Sequence, residues 1–356
     1  MNKEMLQKYN YQKDEIEKLI RRYRDGKFTE EDNVIREDIK YPSPDDFKEL
    51  PPRESKEYKR LEKIGRQAID NGELGVVVLN GGMATRFGGV VKGVVDVFDG
   101  KSFLELKIKD SLTVSDNIEF FIMNSFSTHE KTKQHFEKKD YFGVSDKIHF
   151  FNQFIAPRLK EDGSYFEIED ELDSFYGPGH GDFPYCIKKS GQLDRFLDEG
   201  GKYLFYSNVD NLGARVEPAL LGKHITSGKE LTAEVAAKDP GDEGGAPAVL
   251  NGKLQIIEGF RFPPDFDQDR IPVFNCNTYW LNAVSLKKNF ELPWYIVNKQ
   301  VDGETVVQFE HLAGDMTGFL DTDFIRIDRA ARFYPVKRPR DLDEYRDSLK
   351  EILGYK

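Results

Sequence analysis

The sequence predicts an α/β fold: a mixed, mostly parallel β-sheet with helices on its faces, preceded by a helical N-terminal extension. Two observations carry this expectation. From Gly75 onward, short β-branched and aromatic runs alternate with helical patterns, as strands joined by crossovers do. Several of those runs end in Gly, Asn or Asp clusters. Such clusters suit loops at the carboxyl ends of buried strands, where open α/β sheets place their ligands.

Residues 1–72 are charge-dense, with apolar residues at helical spacing at Leu6, Tyr9, Ile16, Leu19, Ile20 and Tyr23. Tyr41-Pro42-Ser43-Pro44 and Leu50-Pro51-Pro52 interrupt the pattern, and a second helical stretch covers 55–70. We read this region as helices packed on the outside of a main domain that spans 73–356. Strands are expected at 76–80, 118–124, 147–151 and 203–208, with helices at 128–139 and 185–199. Beyond Pro218 the runs 231–237, 253–257, 273–281 and 324–327 are separated by turn signals such as Asp239-Pro240-Gly241 and Asn251-Gly252. They suggest a mixed sheet edge and an antiparallel flap. A helix over 340–353 follows.

A chain of 356 residues buries a large core, and 27 Phe and 16 Tyr add bulk to a hydrophobic fraction of only 38%. The net charge of −11 and a pI near 5.3 argue against nucleic acid or an anionic membrane as partner. Cys186 and Cys276 are the only cysteines and lack metal-type spacing, which fits inert core thiols in a reducing cytosol. Residues 1–8 are charged and have no apolar signal-peptide core. No apolar run reaches the roughly 20 residues of a membrane span. These features together predict a soluble, cytoplasmic protein.

The segment with the most chemical content is Gly75-Val76-Val77-Val78-Leu79-Asn80-Gly81-Gly82-Met83-Ala84-Thr85-Arg86-Phe87-Gly88, with Lys92 just beyond. A β-branched run enters a glycine turn flanked by two cations. Glycine admits close backbone approach, and consecutive N–H groups form an anion nest. Arg86 and Lys92 would add charge, so the loop reads as a triphosphate cradle. It matches neither common phosphate loop. Gly82 to Gly88 is one residue too long for G-x-x-x-x-G-K-[ST], with Gly89 in place of the lysine, and Met83-Ala84 break G-x-G-x-x-G.

Other candidates are weaker singly. Asp210, in Asn208-Val209-Asp210-Asn211 after an aromatic strand, sits where Mg²⁺ would be held beside phosphates. An Asx-turn or helix cap explains the same residues equally well. His180 lies in the glycine-framed turn Tyr176-Gly177-Pro178-Gly179-His180-Gly181-Asp182 and could donate to a sugar-phosphate oxygen. His129, His135, His149, His224 and His311 lie in polar, surface-like contexts. Phe151-Asn152-Gln153 and Phe274-Asn275-Cys276-Asn277 place amides after aromatic strands. Such amides read a uracil edge or sugar hydroxyls, or satisfy buried backbone. Pro335-Val336-Lys337-Arg338-Pro339 brings two cations on a restrained segment, which by composition suits a solvated turn.

Taken in order, these segments resemble the UTP–glucose-1-phosphate uridylyltransferase family in its eukaryotic-type branch. The resemblance rests on Leu79-Asn80-Gly81-Gly82, Lys92, Lys101-Ser102-Phe103-Leu104, Met123-Asn124-Ser125-Phe126 and Phe151-Asn152-Gln153. It continues through Gly179-His180-Gly181-Asp182, the run from Ser207 to Ala214, Phe274-Asn275-Cys276-Asn277, Gln308-Phe309-Glu310 and Phe333-Tyr334-Pro335-Val336-Lys337. It covers 75–342. The resemblance implies a doubly wound nucleotidyltransferase fold of the nucleotide-diphospho-sugar transferase type. It also implies the Mg²⁺-dependent reaction of UTP with glucose 1-phosphate to give UDP-glucose and pyrophosphate. By the same resemblance Leu79, Gly81, Gly82, Met123, Gln153, Gly179 and Asn208 meet the nucleotide, with Gln153 on uracil. His180, Gly245, Glu258, Asn275 and Asn277 meet the sugar phosphate, Asp210 the metal, and Lys92, Arg86 and Lys337 the reacting phosphates.

That chemistry suits the residue types. A sugar phosphate is already an anionic nucleophile, so positioning and charge stabilisation dominate and no base triad is required. Two departures from the family pattern stand out. Ala84 occupies a place where the family usually has glycine. Eukaryotic members continue into a C-terminal β-helix domain that mediates assembly, whereas this sequence stops at Lys356, so a monomer or small homo-oligomer is expected. The alternatives are a broad-specificity UDP-sugar pyrophosphorylase using galactose or N-acetylhexosamine 1-phosphate, and a non-catalytic UDP-sugar sensor.

Overall fold

The computed structural model describes residues 3–84, 87, 89–168, 171–239, 242 and 244–355. Eight strands form the central sheet: β1 (Phe47–Lys48), β2 (Leu74–Asn80), β3 (Glu119–Asn124), β4 (Ile148–Asn152), β5 (Tyr203–Asn208), β6 (Leu231–Ala237), β7 (Val273–Asn282) and β8 (Thr322–Ile327). Their spatial order is β1-β8-β6-β7-β5-β2-β3-β4. Only β7 runs against its neighbours; every other pairing is parallel. The expected mixed, mostly parallel sheet is the one observed.

The alternation along each strand covers both faces of this sheet. Val77, Leu79, Phe121, Met123, Leu204 and Tyr206 enter one core, and Val76, Val78, Phe120, Ile122 and Phe205 enter the other. The longer helices are α1 (Lys3–Lys8), α2 (Lys13–Arg24), α3 (Lys56–Asp70), α4 (Phe103–Leu112), α5 (His129–Lys138), α6 (Phe183–Lys189), α7 (Gln192–Asp198), α8 (Pro218–Ser227) and α9 (Pro339–Ile352). Helices α6 and α7 pack on the first face, and α3, α4, α5, α8 and α9 on the second. This is a doubly wound arrangement.

Three expectations are corrected by the structure. The helix read over 185–199 is two helices, because Gly191 adopts a left-handed conformation (φ 76°) that ends one and starts the next. The first 72 residues are more than an outer helical layer. Strand β1 extends the main sheet alongside β8, and Ile39–Lys40 pairs with the Ala246–Leu250 strand of the flap. Asn33 is buried and exchanges two hydrogen bonds with the Ile296 backbone, as a strand neighbour would. Finally, His224 and His311 are buried rather than surface residues. His224 lies between Thr232 and Asn282, while His311 packs on Trp294 with ring centroids 3.4 Å apart.

Both cysteines are buried and unpaired. Among the described residues no helix is long and apolar enough to cross a membrane.

Candidate active site

The parallel register aligns the carboxyl ends of four strands in one row. Asn208 of β5 lies opposite Leu79 of β2, Leu79 opposite Met123 of β3, and Met123 opposite Phe151 of β4. The loops that leave this row carry Gly81, Gly82, Lys92, Gln153 and Asp210. Leu79 and Met123 themselves are core residues, so only their backbone can face a ligand. Gly82 is exposed, with open space where a Cβ would stand. Met83–Ala84 pairs with Val90–Val91 in a small antiparallel ribbon. Arg86 lies outside the described residues.

Lys92 opens a short 3₁₀ turn and reaches across to the loop after β5. Its Nζ donates to Asp210 Oδ2 at 2.9 Å and to the Val336 carbonyl at 2.7 Å. Both side chains of this ion pair are largely shielded, at 14% and 20% exposure, so water screens the attraction incompletely. Lys337 follows directly on Val336; its side chain is exposed and its N–H donates to Asp341.

Gln153, the first residue past β4, is buried and its N–H donates to the Asn124 carbonyl. Its carboxamide lies between two glycines. A Cβ on Gly81 would fall 1.9 Å from Gln153 Oε1, and one on Gly177 would fall 1.7 Å from Gln153 Nε2. Each contact is far inside any van der Waals separation. The two glycines are therefore what lets this amide stand beside the glycine loop.

The turn bearing His180 is held from behind. Gly179 has φ 107°, the His311 N–H donates to the Pro178 carbonyl, and the Gly181 N–H donates to the His311 carbonyl. His180 Nδ1 accepts the Ala313 N–H at 2.9 Å. That bond places the ring proton on Nε2, leaving a donor at the other end of the ring. Burial pulls the imidazole pKa down to about 4, so the ring is neutral at physiological pH.

Asn275 and Asn277 lie inside β7, within the run expected over 273–281, rather than after an aromatic strand. Between them the pairing with β6 slips, from Glu234 opposite Thr278 to Val235 opposite Asn275. This bulge, with Asn277 at φ 49°, turns the Asn277 side chain onto Asn208 Oδ1 at 2.9 Å. Asn275 bonds Tyr279 OH and, through its N–H, the Gly245 carbonyl. A Cβ on Gly245 would come within 3.0 Å of Glu258 Oε1. Burial and the neighbouring Asp315 carboxylate raise the Glu258 pKa to about 7, against the opposing pull of Arg261. Asp315 accepts from Arg261 at 2.9 Å and from Tyr295 OH at 3.1 Å. Asn277 Oδ1 and Asp315 Oδ2 are buried without a protein partner, as acceptors that face a polar ligand would be.

Several residues of this assembly were not singled out in the sequence. Gly177 was quoted only as part of the turn, and Asp315 and Arg261 had no motif around them. Lys107 of α4 is buried and donates to Ser207 Oγ and to the carbonyls of Asn211 and Ala214. A lysine flanked directly by Leu106 and Ile108 on α4 was the available signal.

Comparison with known proteins identifies the family. A family model described as UTP–glucose-1-phosphate uridylyltransferase matches residues 18–349. The UTP–glucose-1-phosphate uridylyltransferase 2 of Dictyostelium discoideum is 33% identical over 309 residues, covering 80% of this chain and 61% of its own length. That of Musa acuminata is 35% identical over 290 residues, covering 76% of this chain and 62% of its own length. The chain thus spans about three fifths of these curated relatives. A solved structure described as a UDP-glucose phosphorylase from Trypanosoma brucei superposes with a TM-score of 0.74 at 26% identity, covering 91% of this chain and 72% of that one. With a family model matching nearly the whole sequence, the chain belongs to the UTP–glucose-1-phosphate uridylyltransferase family.

Proposed function

We propose that the chain catalyses UTP + glucose 1-phosphate ⇌ UDP-glucose + pyrophosphate. The observation that carries this reading is the convergence of Lys92, Asp210 and the Val336–Lys337 segment beside the glycine loop. A phosphate oxygen of glucose 1-phosphate attacks the α-phosphorus of UTP. The bond from that phosphorus to the α,β-bridging oxygen breaks, and pyrophosphate leaves with the electron pair. Both reactants are anions, so the work is to hold them in line and to balance charge on the leaving group.

Each residue then has a defined task. Gly81 and Gly82 admit the phosphates to backbone N–H groups, while Gln153 offers its amide to uracil. Asn208 and the backbone at Leu79, Met123 and Gly179 line the nucleotide. His180 donates from Nε2 to the sugar phosphate, and Glu258, Asn275, Asn277 and Gly245 frame the sugar. Lys92, with Lys337 and Arg86, neutralises the phosphates.

Asp210 is a suitable carboxylate for Mg²⁺. No cage of three or more His, Cys, Asp or Glu side chains occurs among the described residues. That suits a magnesium ion held by one protein carboxylate and completed by phosphates and water. When bound, Mg²⁺ would supply charge neutralisation between the reacting phosphates. Residues 73–356 would form the catalytic unit, with 1–72 completing its edge.

The test is pyrophosphate release with UTP, Mg²⁺ and a panel of sugar 1-phosphates, with EDTA as control. Metal-dependent release with glucose 1-phosphate is expected. Comparable rates with several sugars would overturn the glucose assignment, and no release with any would overturn the transferase reading.

A further inference from the structure

Helix α4 turns almost all of its residues inward, and Lys107 is among those buried. A buried ammonium must place its three N–H donors or lose heavily in solvation. Lys107 places all three on the end of β5 and the loop that follows it: Ser207 Oγ at 2.9 Å, the Asn211 carbonyl at 3.0 Å and the Ala214 carbonyl at 3.0 Å. Those acceptors bracket Asp210 on both sides in sequence.

The opposite side of the same loop is tied to the C-terminal segment. The Val336 N–H donates to the Asp210 carbonyl at 3.1 Å, and the Tyr334 N–H donates to Asn211 Oδ1 at 2.9 Å. The nearby charges have partners of their own. Asp110 takes Arg215 at 2.7 Å, and Glu234 takes Arg332 at 2.7 Å. The Lys107 ammonium is thus a tripod under one turn, with neutral acceptors on each leg.

We propose that Lys107 is a positioning residue for nucleotidyl transfer: it clamps the 207–214 turn from beneath so that the Asp210 carboxylate meets Lys92 in fixed geometry beside the reacting phosphates. This rests on the uridylyl-transfer reading above. A tripod made by one side chain confines the turn more tightly than separate local bonds, because three contacts are lost together when the turn moves. A displacement of about 1 Å in such a site can cost about a hundredfold in rate.

Two variants test it. Lys107→Met keeps the stem and removes all three donors, and Ser207→Ala removes one acceptor while keeping the lysine. Amide hydrogen exchange of peptides covering 207–214 is measured beside steady-state kinetics. In Lys107→Met the turn should exchange about tenfold faster, and kcat should fall about a hundredfold with KM for glucose 1-phosphate nearly unchanged. Ser207→Ala should shift both in the same direction by a smaller factor, and it carries the test if Lys107→Met does not fold.

Unchanged exchange in the folded variants overturns the proposal, as does faster exchange with wild-type kcat. A loss confined to KM would also overturn it. Should the wild-type chain release no pyrophosphate, the transferase reading fails, while the exchange measurement still decides whether Lys107 holds the turn.

Discussion

Lys92 Nζ donates at once to Asp210 Oδ2 and to the Val336 carbonyl, so a single nitrogen ties the glycine loop of β2, the loop after β5 and the C-terminal segment. Under the proposed reading Asp210 would hold Mg²⁺ and Lys92 would serve the phosphates, so the two roles meet in this one ion pair.

Lys92→Ala is therefore expected to raise the barrier by about 3 kcal/mol, as loss of a preorganised charge donor does. Asp210→Asn should raise the Mg²⁺ concentration needed for half-maximal rate. The double variant should cost less than the sum of the two, because the residues act on each other. Pyrophosphate release titrated with Mg²⁺ checks all three, and near-normal turnover in Lys92→Ala would remove that residue from the mechanism.

The amide clamp makes a steric prediction. Gly81→Ala or Gly177→Ala would place a methyl within 2 Å of the Gln153 carboxamide and force it aside. Affinity for UDP-glucose should drop about tenfold or more, in line with one lost specific polar contact. Calorimetry on each variant and on Gln153→Ala gives the comparison. Once Gln153 is truncated, adding Gly81→Ala should cost little more.

His180 should exist as the Nε2–H tautomer, which long-range ¹H–¹⁵N spectra report directly. Its folded pKa, pulled down by burial to about 4, lies below the ordinary histidine value of 6.5. The folded state therefore binds fewer protons than the unfolded chain, and this contribution to stability is lost as pH falls from about 6.5 towards 4. His180→Ala also leaves the Ala313 N–H without its acceptor, at a cost of about 1–3 kcal/mol. Denaturant melts at pH 7 and pH 5 should show a smaller gap for this variant than for wild type.

Glu258 gives the opposite pH sign. Its folded pKa of about 7 stands above the ordinary glutamate value of 4.5. The folded state holds a proton through that window which the unfolded chain has released, so stability falls as pH rises from about 4.5 to 7. Glu258→Gln removes the penalty. It should gain about 3 kcal/mol relative to wild type at pH 8 and nothing at pH 4. Equal effects at both pH values would show that the Glu258 pKa is the same in the folded and the unfolded chain.

Much of this architecture was legible in the residues themselves. The runs at 203–208, 231–237 and 253–257 coincide with observed strands, because each buries apolar side chains between clear turn signals. The break at Gly191 was not legible, since apolar spacing continues across it from Ile187 to Leu193 and Phe196. The burial of His224 and His311 was also hidden, because their partners sit on other elements: Thr232 and Asn282 for His224, Asp182 and Trp294 for His311.

The sequence by itself determined the alternation of strand and helix, the glycine loop after β2 and the presence of Lys92 and Asp210 as separate motifs. Local pattern carries that information, since strand periodicity and turn chemistry act between near neighbours. Tertiary structure alone decided that Lys92 meets Asp210, which lies 118 positions away along the chain. It also decided that Gly81 and Gly177 enclose Gln153, and that Lys107 supports the Asp210 turn from inside the core. Contacts of that kind depend on the parallel register of β5, β2, β3 and β4, which brings the ends of remote segments to one edge.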